Sequence, residues 1–284
     1  MKVKVEIYSD DDYNPKSKRS CITIISVIMV LFQFPFVFLE SSFYSLFFCW
    51  LSLLLLLFFQ TFIYTRFGMD FLKNRVLSQS VVLSYVMIIL TMIILNMVLL
   101  ESKIFFDPSF YMFIFLIISL CCGVLTGLFF SDKGNLFSKD NVKIRKNEIE
   151  LRKLEFFEIL TLKRMPFLRA PLRRLRNITT ILAAFIGTGG AGIGMGIAEI
   201  LKRSDVLTPD INVHAFLFFS LGMPVLFTFG ILMYSTMTYL SEWRKLVASI
   251  DKEYGEHKII FNSKKKSYKK IKEIMAESGS NANG

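Results

Sequence analysis

The chain has 284 residues, of which 53% are hydrophobic, and its 34 basic and 23 acidic residues give a net charge of +11. Six apolar runs contain no Asp, Glu, Lys or Arg, which excludes an ordinary soluble domain, because the buried helices of such domains are shorter and amphipathic. The runs cover residues 22–39, 43–65, 81–100, 110–130, 178–198 and 215–240. Since about 20 residues span the hydrocarbon core, each run predicts a transmembrane helix.

The basic residues lie almost entirely on one side of these runs. The segments between the runs, taken alternately, hold 31 and 3 of the 34 lysines and arginines. Because lysine and arginine concentrate in cytoplasmic loops, both termini are predicted to be cytoplasmic. We therefore predict an all-α, six-span protein of the plasma membrane or bacterial inner membrane, with a small basic cytoplasmic loop-plus-tail region that could be α+β.

The N-terminal half reads as a cytoplasmic segment, residues 1–21, followed by a four-helix region, residues 22–130. The spans carry uncharged polar side chains, which we expect to hydrogen-bond between helices rather than to contact a substrate. These side chains are Gln33, Gln60, Thr91, Asn96 and Thr126. No ionisable group lies at mid-span, which argues against proton- or sodium-coupled transport.

The basic cytoplasmic loop, residues 131–177, contains a hairpin signal. Val142, Ile144, Ile149 and Leu151 alternate with polar residues around a polar turn. The two-helix region of residues 178–240 follows, and then a basic cytoplasmic tail, residues 241–284. The tail offers a strand candidate at residues 259–261 and helical spacing from Tyr268 onwards. The loop and the tail either pair into one small domain or stay separate, and the sequence leaves both open.

Two basic clusters mark candidate binding surfaces for lipid or a protein partner. The loop cluster consists of Arg169, Arg173, Arg174 and Arg176, and the tail cluster of Lys264, Lys265, Lys266, Lys269 and Lys270. Such clusters attract the anionic head groups of the bilayer, although the first abuts a span and could simply fix its orientation. Topology accounts for the net charge, so nucleic acid is not an expected partner, although the tail cluster leaves it open.

The fifth run carries the one unusual motif, six glycines within residues 187–196. We predict close helix packing at Gly187, Gly190, Gly192, Gly194 and Gly196. The alternating glycines resemble, over about seven residues, the inner helix of rotary ATP synthase ring subunits. That resemblance implies close helix packing and nothing more. The run could pack within one chain, form the seam of a homo-oligomer, or break to expose backbone groups to an ion or substrate.

No catalytic chemistry is visible. His214 and His257 are predicted on opposite sides of the bilayer, and the HExxH, CxxC and GxSxG motifs are absent. We predict no catalytic residue, metal or cofactor, and no enzymatic activity. The leading hypothesis is an oligomeric membrane protein that forms or gates a pore. The alternatives are a transporter or transport-complex subunit with a broken glycine-rich helix, and a membrane scaffold or immunity-type protein that binds a cytoplasmic partner.

Overall fold

The computed structural model describes residues 5–9, 14–38, 43–100, 108–130, 142–151, 181, 196, 199–206, 213–262 and 266–273. The chain forms two compact units. The helical unit comprises Pro15–Ser131 and Arg169–Met237, and the sheet unit comprises Met1–Asn14, Asp132–Leu168 and Thr238–Gly284. The division between the two units falls within the last long helix.

The described helices are α1 (Pro15–Phe38), α2 (Phe43–Tyr64), α3 (Arg66–Lys73), α4 (Arg75–Leu99), α5 (Pro108–Phe130) and α6 (Val213–Tyr254). Four of them, α2, α4, α5 and α6, are long and apolar enough to cross a membrane. Each of these four overlaps a predicted run, so the expectation of a mostly helical protein is confirmed, and these four helices are candidate membrane spans by length and composition. Three helices extend well beyond their predicted runs, since α1 begins at Pro15, α4 begins at Arg75 and α6 continues to Tyr254.

The short helix α3 was not predicted. Thr65 caps its N-terminus, since Thr65 Oγ1 accepts a hydrogen bond from Gly68 N at 3.1 Å. Asn74, directly after α3, caps the N-terminus of α4, since its Oδ1 accepts a hydrogen bond from Leu77 N at 3.2 Å. A Cβ atom at Gly68 would lie 2.6 Å from Ile63 Cα, so glycine lets α3 fold back onto the end of α2. Because α3 contains Arg66, Asp70 and Lys73, this amphipathic helix does not form an apolar run in the sequence.

The core of the helical unit lies around α4, which packs against α1, α2, α3 and α5. One apolar cluster joins α1, α2 and α4 through Met29, Leu56 and Ile89. A second joins α4, α5 and α6 through Val98, Leu116 and Leu226. The exposed surface of the helical unit also carries apolar side chains. On α2, for example, Trp50, Leu57 and Phe58 are 55–72% exposed. A bilayer would cover such a surface, which water would not stabilise.

The described residues of the sheet unit form four strands, β1 (Val5–Ser9), β2 (Val142–Arg145), β3 (Glu148–Leu151) and β4 (His257–Phe261). Their order is β1-β4-β3-β2, with β4 parallel to β1 and β3, and β2 antiparallel to β3. The predicted hairpin is present, and it pairs with the predicted tail strand. Loop and tail therefore share one sheet, and the all-α description holds only for the helical unit.

Strand β1 lies in residues 1–21, where the sequence analysis placed no strand. Its signal is the alternation of Val3, Val5 and Ile7 with polar residues. The strand is five residues long and pairs with β4 through the whole register from Val5–His257 to Ser9–Phe261. A segment this short has no stable structure alone, so only its partner makes it a strand.

Candidate functional site

Polar side chains from α1, α2 and α4 meet along the interior of the helical unit. We call this set the polar seam. It consists of Lys18, Thr23, Ser26 and Gln33 of α1, Ser45, Ser52 and Gln60 of α2, and Ser78, Tyr85 and Asn96 of α4.

The seam begins where α1 and α4 begin and α2 ends. Lys18 Nζ donates a hydrogen bond to Ser78 Oγ at 2.8 Å, which joins α1 to α4. Further along, Gln60 Nε2 donates to Thr23 Oγ1 at 2.6 Å, which joins α2 to α1. The first part of the seam therefore links all three helices through side-chain hydrogen bonds.

The seam continues through three further pairs towards the other end of the bundle. Ser26 and Tyr85 share a hydrogen bond of 3.3 Å between their hydroxyl groups. The Gln33 side-chain oxygen accepts a hydrogen bond from Ser52, and the Asn96 oxygen accepts one from Ser45. At 1.5 Å per residue, Ser78 and Asn96 lie about 27 Å apart along α4, which is close to the thickness of a hydrocarbon core.

Helical spacing explains why these residues share one face. Ser78 and Tyr85 of α4 are seven positions apart, and Asn96 lies eleven positions further. These intervals are close to two and three turns of 3.6 residues, so all three side chains point in nearly the same direction. On α2, Ser45 and Ser52 are also seven positions apart, and they align in the same way.

Several seam atoms are buried without a hydrogen-bond partner in the described part of the chain. These atoms are Gln33 Nε2, Gln60 Oε1 and Asn96 Nδ2. Gln33 and Asn96 are each only 1% exposed. An orphaned polar group in an apolar interior is costly, so the seam suits water or a small polar solute that would complete these hydrogen bonds.

The sequence analysis expected interhelical hydrogen bonds from five polar residues. Gln33, Gln60 and Asn96 make them, which confirms the expectation for these three. Thr126 instead donates to the Cys122 carbonyl oxygen of its own helix at 2.7 Å, and Thr91 Oγ1 has no hydrogen-bond partner in the described part of the chain. The sequence named the seam's amides but not the serines that pair with them, because serine is common in spans.

The sheet unit buries two carboxylates side by side on β3. Glu148 is 7% exposed and Glu150 is 3% exposed. Tyr268 Oη donates to Glu148 Oε2 at 2.7 Å, and Lys272 Nζ donates to Glu148 Oε1 at 2.6 Å. Asn262 Nδ2 donates to Glu150 Oε1 at 2.8 Å. These contacts fasten the helical segment 268–273 to the sheet.

The ion pair sets the titration of Glu148. Burial by itself raises the pKa of this carboxyl, but the hydrogen bonds from Lys272 and Tyr268 and the nearby lysine charges outweigh it, so the pKa is lowered overall. The same contact raises the pKa of Lys272. A carboxyl with a lowered folded-state pKa stabilises the fold above its unfolded pKa, and this contribution disappears as the pH falls through the folded value.

Glu148→Gln is therefore expected to weaken the sheet unit at pH 7 by about 1 kcal/mol, since Lys272 is partly exposed and its ion pair is screened. Hydrogen exchange of the β3 and β4 amides in the full chain measures this. The difference from wild type should shrink as the pH falls through the lowered pKa of Glu148, where this carboxyl itself becomes protonated. The exposed Glu273→Gln change is the control, and equal effects of both changes would contradict the assignment.

The predicted binding residues are only partly placed by the structure. The whole loop cluster of arginines, Lys264 and Lys265 lie outside the described residues. Lys269 and Lys270 are exposed, whereas Lys266 is half-buried, and its backbone exchanges two hydrogen bonds with the Asn262 side chain. The surface available for an anionic head group or a partner thus includes two of the predicted lysines.

Of the five predicted packing glycines, one lies among the described residues. Gly196 is helical and exposed, and a Cβ atom there would meet nothing within 4 Å. The other four, Gly187, Gly190, Gly192 and Gly194, lie outside the described residues. Among the described residues, α5 and α6 approach each other closely at Gly123 and Gly230. The Gly123-xxx-Gly127 spacing in the sequence was the available signal for this contact.

Comparison with known proteins adds no family. No family model matches this chain, and no curated protein or solved structure matches it either. Among the described residues, no group of three or more His, Cys, Asp or Glu side chains could hold a metal ion.

Proposed function

We propose that this chain is a non-enzymatic, multi-pass membrane protein that forms a gated pore along the polar seam. The observation that carries the proposal is the seam's length, because its hydrogen-bonded pairs extend over about 27 Å of α4. Buried atoms without a hydrogen-bond partner in the described part of the chain recur along it, namely Gln33 Nε2, Gln60 Oε1 and Asn96 Nδ2. If the seam served only to hold the helices together, its polar atoms could all be paired with one another. The buried atoms that have no partner therefore favour a path in which polar molecules form hydrogen bonds with the seam.

The chemistry of the seam favours water or a small uncharged solute as the permeating species. Beyond Lys18, the seam consists of amide and hydroxyl side chains, which can replace the hydrogen bonds of water, urea or a polyol. The cationic groups Lys18 and Arg75 lie at the end where α4 begins, and they would repel cations there. We therefore propose exclusion of cations together with passage of neutral polar molecules.

The pairing within the sheet supports six spans. If β1, β2, β3 and β4 share one sheet, residues 5–9, 142–151 and 257–261 lie on one side of the membrane. The chain must then cross an even number of times between consecutive segments. Between β1 and β2 the counted helices α2, α4 and α5 cross three times. A fourth crossing is needed, and α1 with its run at 22–39 is the segment that would supply it.

The same reasoning supports a span in the glycine-rich run. Between β3 and β4 only α6 is counted as a spanning helix among the described residues. An even number of crossings requires one more between residues 152 and 212. The run at 178–198 is the stretch there that is long and apolar enough. The charge distribution places the sheet on the cytoplasmic side, and we propose both termini there, in the plasma or bacterial inner membrane.

The sheet unit is proposed as the regulatory part of the pore. Strand β1 ends at Ser9, shortly before α1 begins at Pro15, and β4 begins at His257, shortly after α6 ends at Tyr254. A ligand or partner that altered the sheet would therefore act directly on the chain segments that enter α1 and leave α6. The exposed lysines of the tail offer a surface for such a partner. Assembly through the glycine-rich run stays part of the proposal.

A flux measurement tests the pore. We expect that proteoliposomes containing the purified chain swell in urea or glycerol faster than empty liposomes, as followed by stopped-flow light scattering. Gln33→Leu and Asn96→Leu each remove an amide from the seam, and each should reduce the flux about tenfold or more, since one lost hydrogen bond to the solute raises the barrier by about 1–2 kcal/mol.

The matched control is Thr126→Val, because Thr126 bonds to its own helix and lies outside the seam. This variant should keep wild-type flux. Potassium release from the same vesicles should stay at the level of empty liposomes. A chain that is folded in detergent and raises no flux of either solute, or seam variants that behave like Thr126→Val, would exclude the proposed path.

A further inference from the structure

The helical part of the tail, residues 268–273, lies against the sheet through few side chains. We call it the tail helix. Ile271 is its one buried residue. Tyr268 Oη and Lys272 Nζ both donate to the Glu148 carboxylate, at 2.7 Å and 2.6 Å. The Arg145 guanidinium covers the Tyr268 ring, with its central carbon 3.8 Å from the ring centroid. One apolar side chain and one carboxylate therefore anchor the tail helix in its docked position.

The tail helix can detach without unfolding the sheet. The Lys272 side chain is 49% exposed, so water screens its ion pair. A helix this short has little stability of its own and depends on what it contacts. Just before it, the Asn262 side chain accepts a hydrogen bond from Lys266 N at 2.8 Å and donates one to Lys266 O at 2.9 Å. Asn262 thus holds the chain at Lys266, and the helix beyond it can leave the sheet by itself.

The composition of the tail helix suits an anionic bilayer surface. Lys269 and Lys270 are exposed on the docked helix, and the sequence has six lysines within residues 264–272. Anionic head groups attract such a cluster, and the attraction grows with each lysine. Tyr268 and Ile271 add an amphipathic ring and an apolar side chain, which are the groups that insert at the level of the head groups.

Docking on the sheet and binding to a bilayer compete for the same side chains. The Lys272 ammonium bonds to the Glu148 carboxylate in the docked position, and a lipid phosphate would take the place of that carboxylate. Ile271 is completely buried against the sheet unit and cannot enter the bilayer at the same time. The two positions of the tail helix therefore exclude each other.

We propose that the tail helix exchanges between two anionic partners, Glu148 of the sheet and the surface of an anionic bilayer. It stays docked beside a zwitterionic bilayer and leaves the sheet beside an anionic one. The inference rests on the proposed function, because the sheet unit must lie on the cytoplasmic side of a membrane. The regulatory partner of the sheet unit is then the bilayer itself.

The test uses the full chain, labelled with 3-fluorotyrosine, in nanodiscs of phosphatidylcholine with or without phosphatidylglycerol. Fluorine NMR follows Tyr268, whose resonance is identified by its loss in Tyr268→Phe. We expect one resonance in phosphatidylcholine, because the ring stays between Arg145 and Glu148. With phosphatidylglycerol a second resonance should appear, and a lipid with a nitroxide on its head group should broaden it more than the first.

Two sets of substitutions should shift this exchange in opposite directions. Glu148→Gln weakens docking, and in phosphatidylglycerol it should raise the ratio of membrane-bound to docked helix about fivefold. Lys269→Gln combined with Lys270→Gln leaves the contacts with the sheet intact, and it should lower this ratio about tenfold or more. The matched control is Lys245→Gln combined with Lys252→Gln, which removes two charges from exposed side chains of α6. It should change the ratio by less than about twofold.

A Tyr268 resonance that is the same in both bilayers, or equal changes in the two double variants, would overturn the exchange. The two double variants decide the question even if Glu148→Gln does not fold. Failure of the proposed pore would be seen separately. A chain that shows lipid-dependent resonances but no solute flux would exclude the pore and keep the exchange of the tail helix.

Discussion

Gly230→Ala is expected to destabilise the helical unit by about 3 kcal/mol, the upper range for an added methyl in a packed interior. Its Cβ would lie within contact distance of the Leu120 carbonyl oxygen, 2.7 Å from Val124 N and 2.9 Å from Gly123 C. All three are backbone atoms of α5, which cannot turn aside as a side chain would. The two helices would have to separate.

The close approach of α5 and α6 also depends on a glycine of α5. A Cβ atom at Gly123 would lie 2.9 Å from the Phe227 carbonyl carbon of α6. Nearby, Ser119 Oγ donates to the Met223 carbonyl oxygen at 2.7 Å, a bond that depends on the same short distance between the helices. Gly123→Ala should therefore resemble Gly230→Ala. The two changes should combine less than additively, because either one alone already separates the helices.

Alanine substitutions at two other glycines, Gly222 and Gly196, should have smaller effects. At Gly222 the nearest atom is Ile94 Cγ2 at 2.8 Å, the end of a side chain that can shift, so Gly222→Ala should cost less. Gly196 has open space around it, and Gly196→Ala should be neutral or slightly stabilising. Thermal unfolding of the detergent-solubilised chain measures all four variants. A Gly230→Ala protein as stable as Gly196→Ala would contradict the α5–α6 packing described above.

The second large effect is expected in the sheet unit, at Ile149→Asp. Ile149 is completely buried, lies on β3 between β4 and β2, and pairs with Ile259 on one side and Ile144 on the other. A carboxylate at this position would lose its water without gaining a partner, at a cost of about 3–5 kcal/mol. This amount exceeds what a small four-stranded sheet can lose, so the sheet should unfold while the helical unit persists.

Ile144→Asp gives the matched control. Ile144 belongs to the same hairpin and lies directly opposite Ile149, but it is on the edge strand and is 50% exposed. The same chemical change there should cost less than about 1 kcal/mol. Hydrogen exchange of residues 257–262 in the full chain distinguishes the two, because β4 loses protection when the sheet opens. Retained protection in the Ile149→Asp chain would show that the described strand order is wrong.

Four of the six apolar runs correspond to helices that are long and apolar enough to cross a membrane, because this property depends on composition over about 20 residues. The pairings inside the bundle could not be read in the same way. Gln33 and Asn96 were recognised as interhelical groups, but a helical sequence does not reveal which neighbour faces a given side. For the same reason the sequence analysis singled out the glycine-rich run, but not Gly123 and Gly230, at which the backbones of α5 and α6 approach closely.

The sheet shows a different limit of prediction. The hairpin of β2 and β3 is local, so its alternating pattern was enough to predict it. Strand β1 depends on β4, which lies some 250 positions further along the chain. A pattern of five residues does not indicate which distant segment will pair with it. Pairs of this kind are visible only once both strands are placed in space.

The position of β4 also determines when the sheet can be completed during synthesis. Strands β1 and β3 both pair with β4, which is the last of the four described strands to leave the ribosome. Throughout translation of the helices, β1 therefore has an unpaired edge, and only the short β2–β3 hairpin can form early. Because contacts so distant along the chain form slowly, we expect β1 to stay exposed to chaperones until β4 has been made and pairs between β1 and β3.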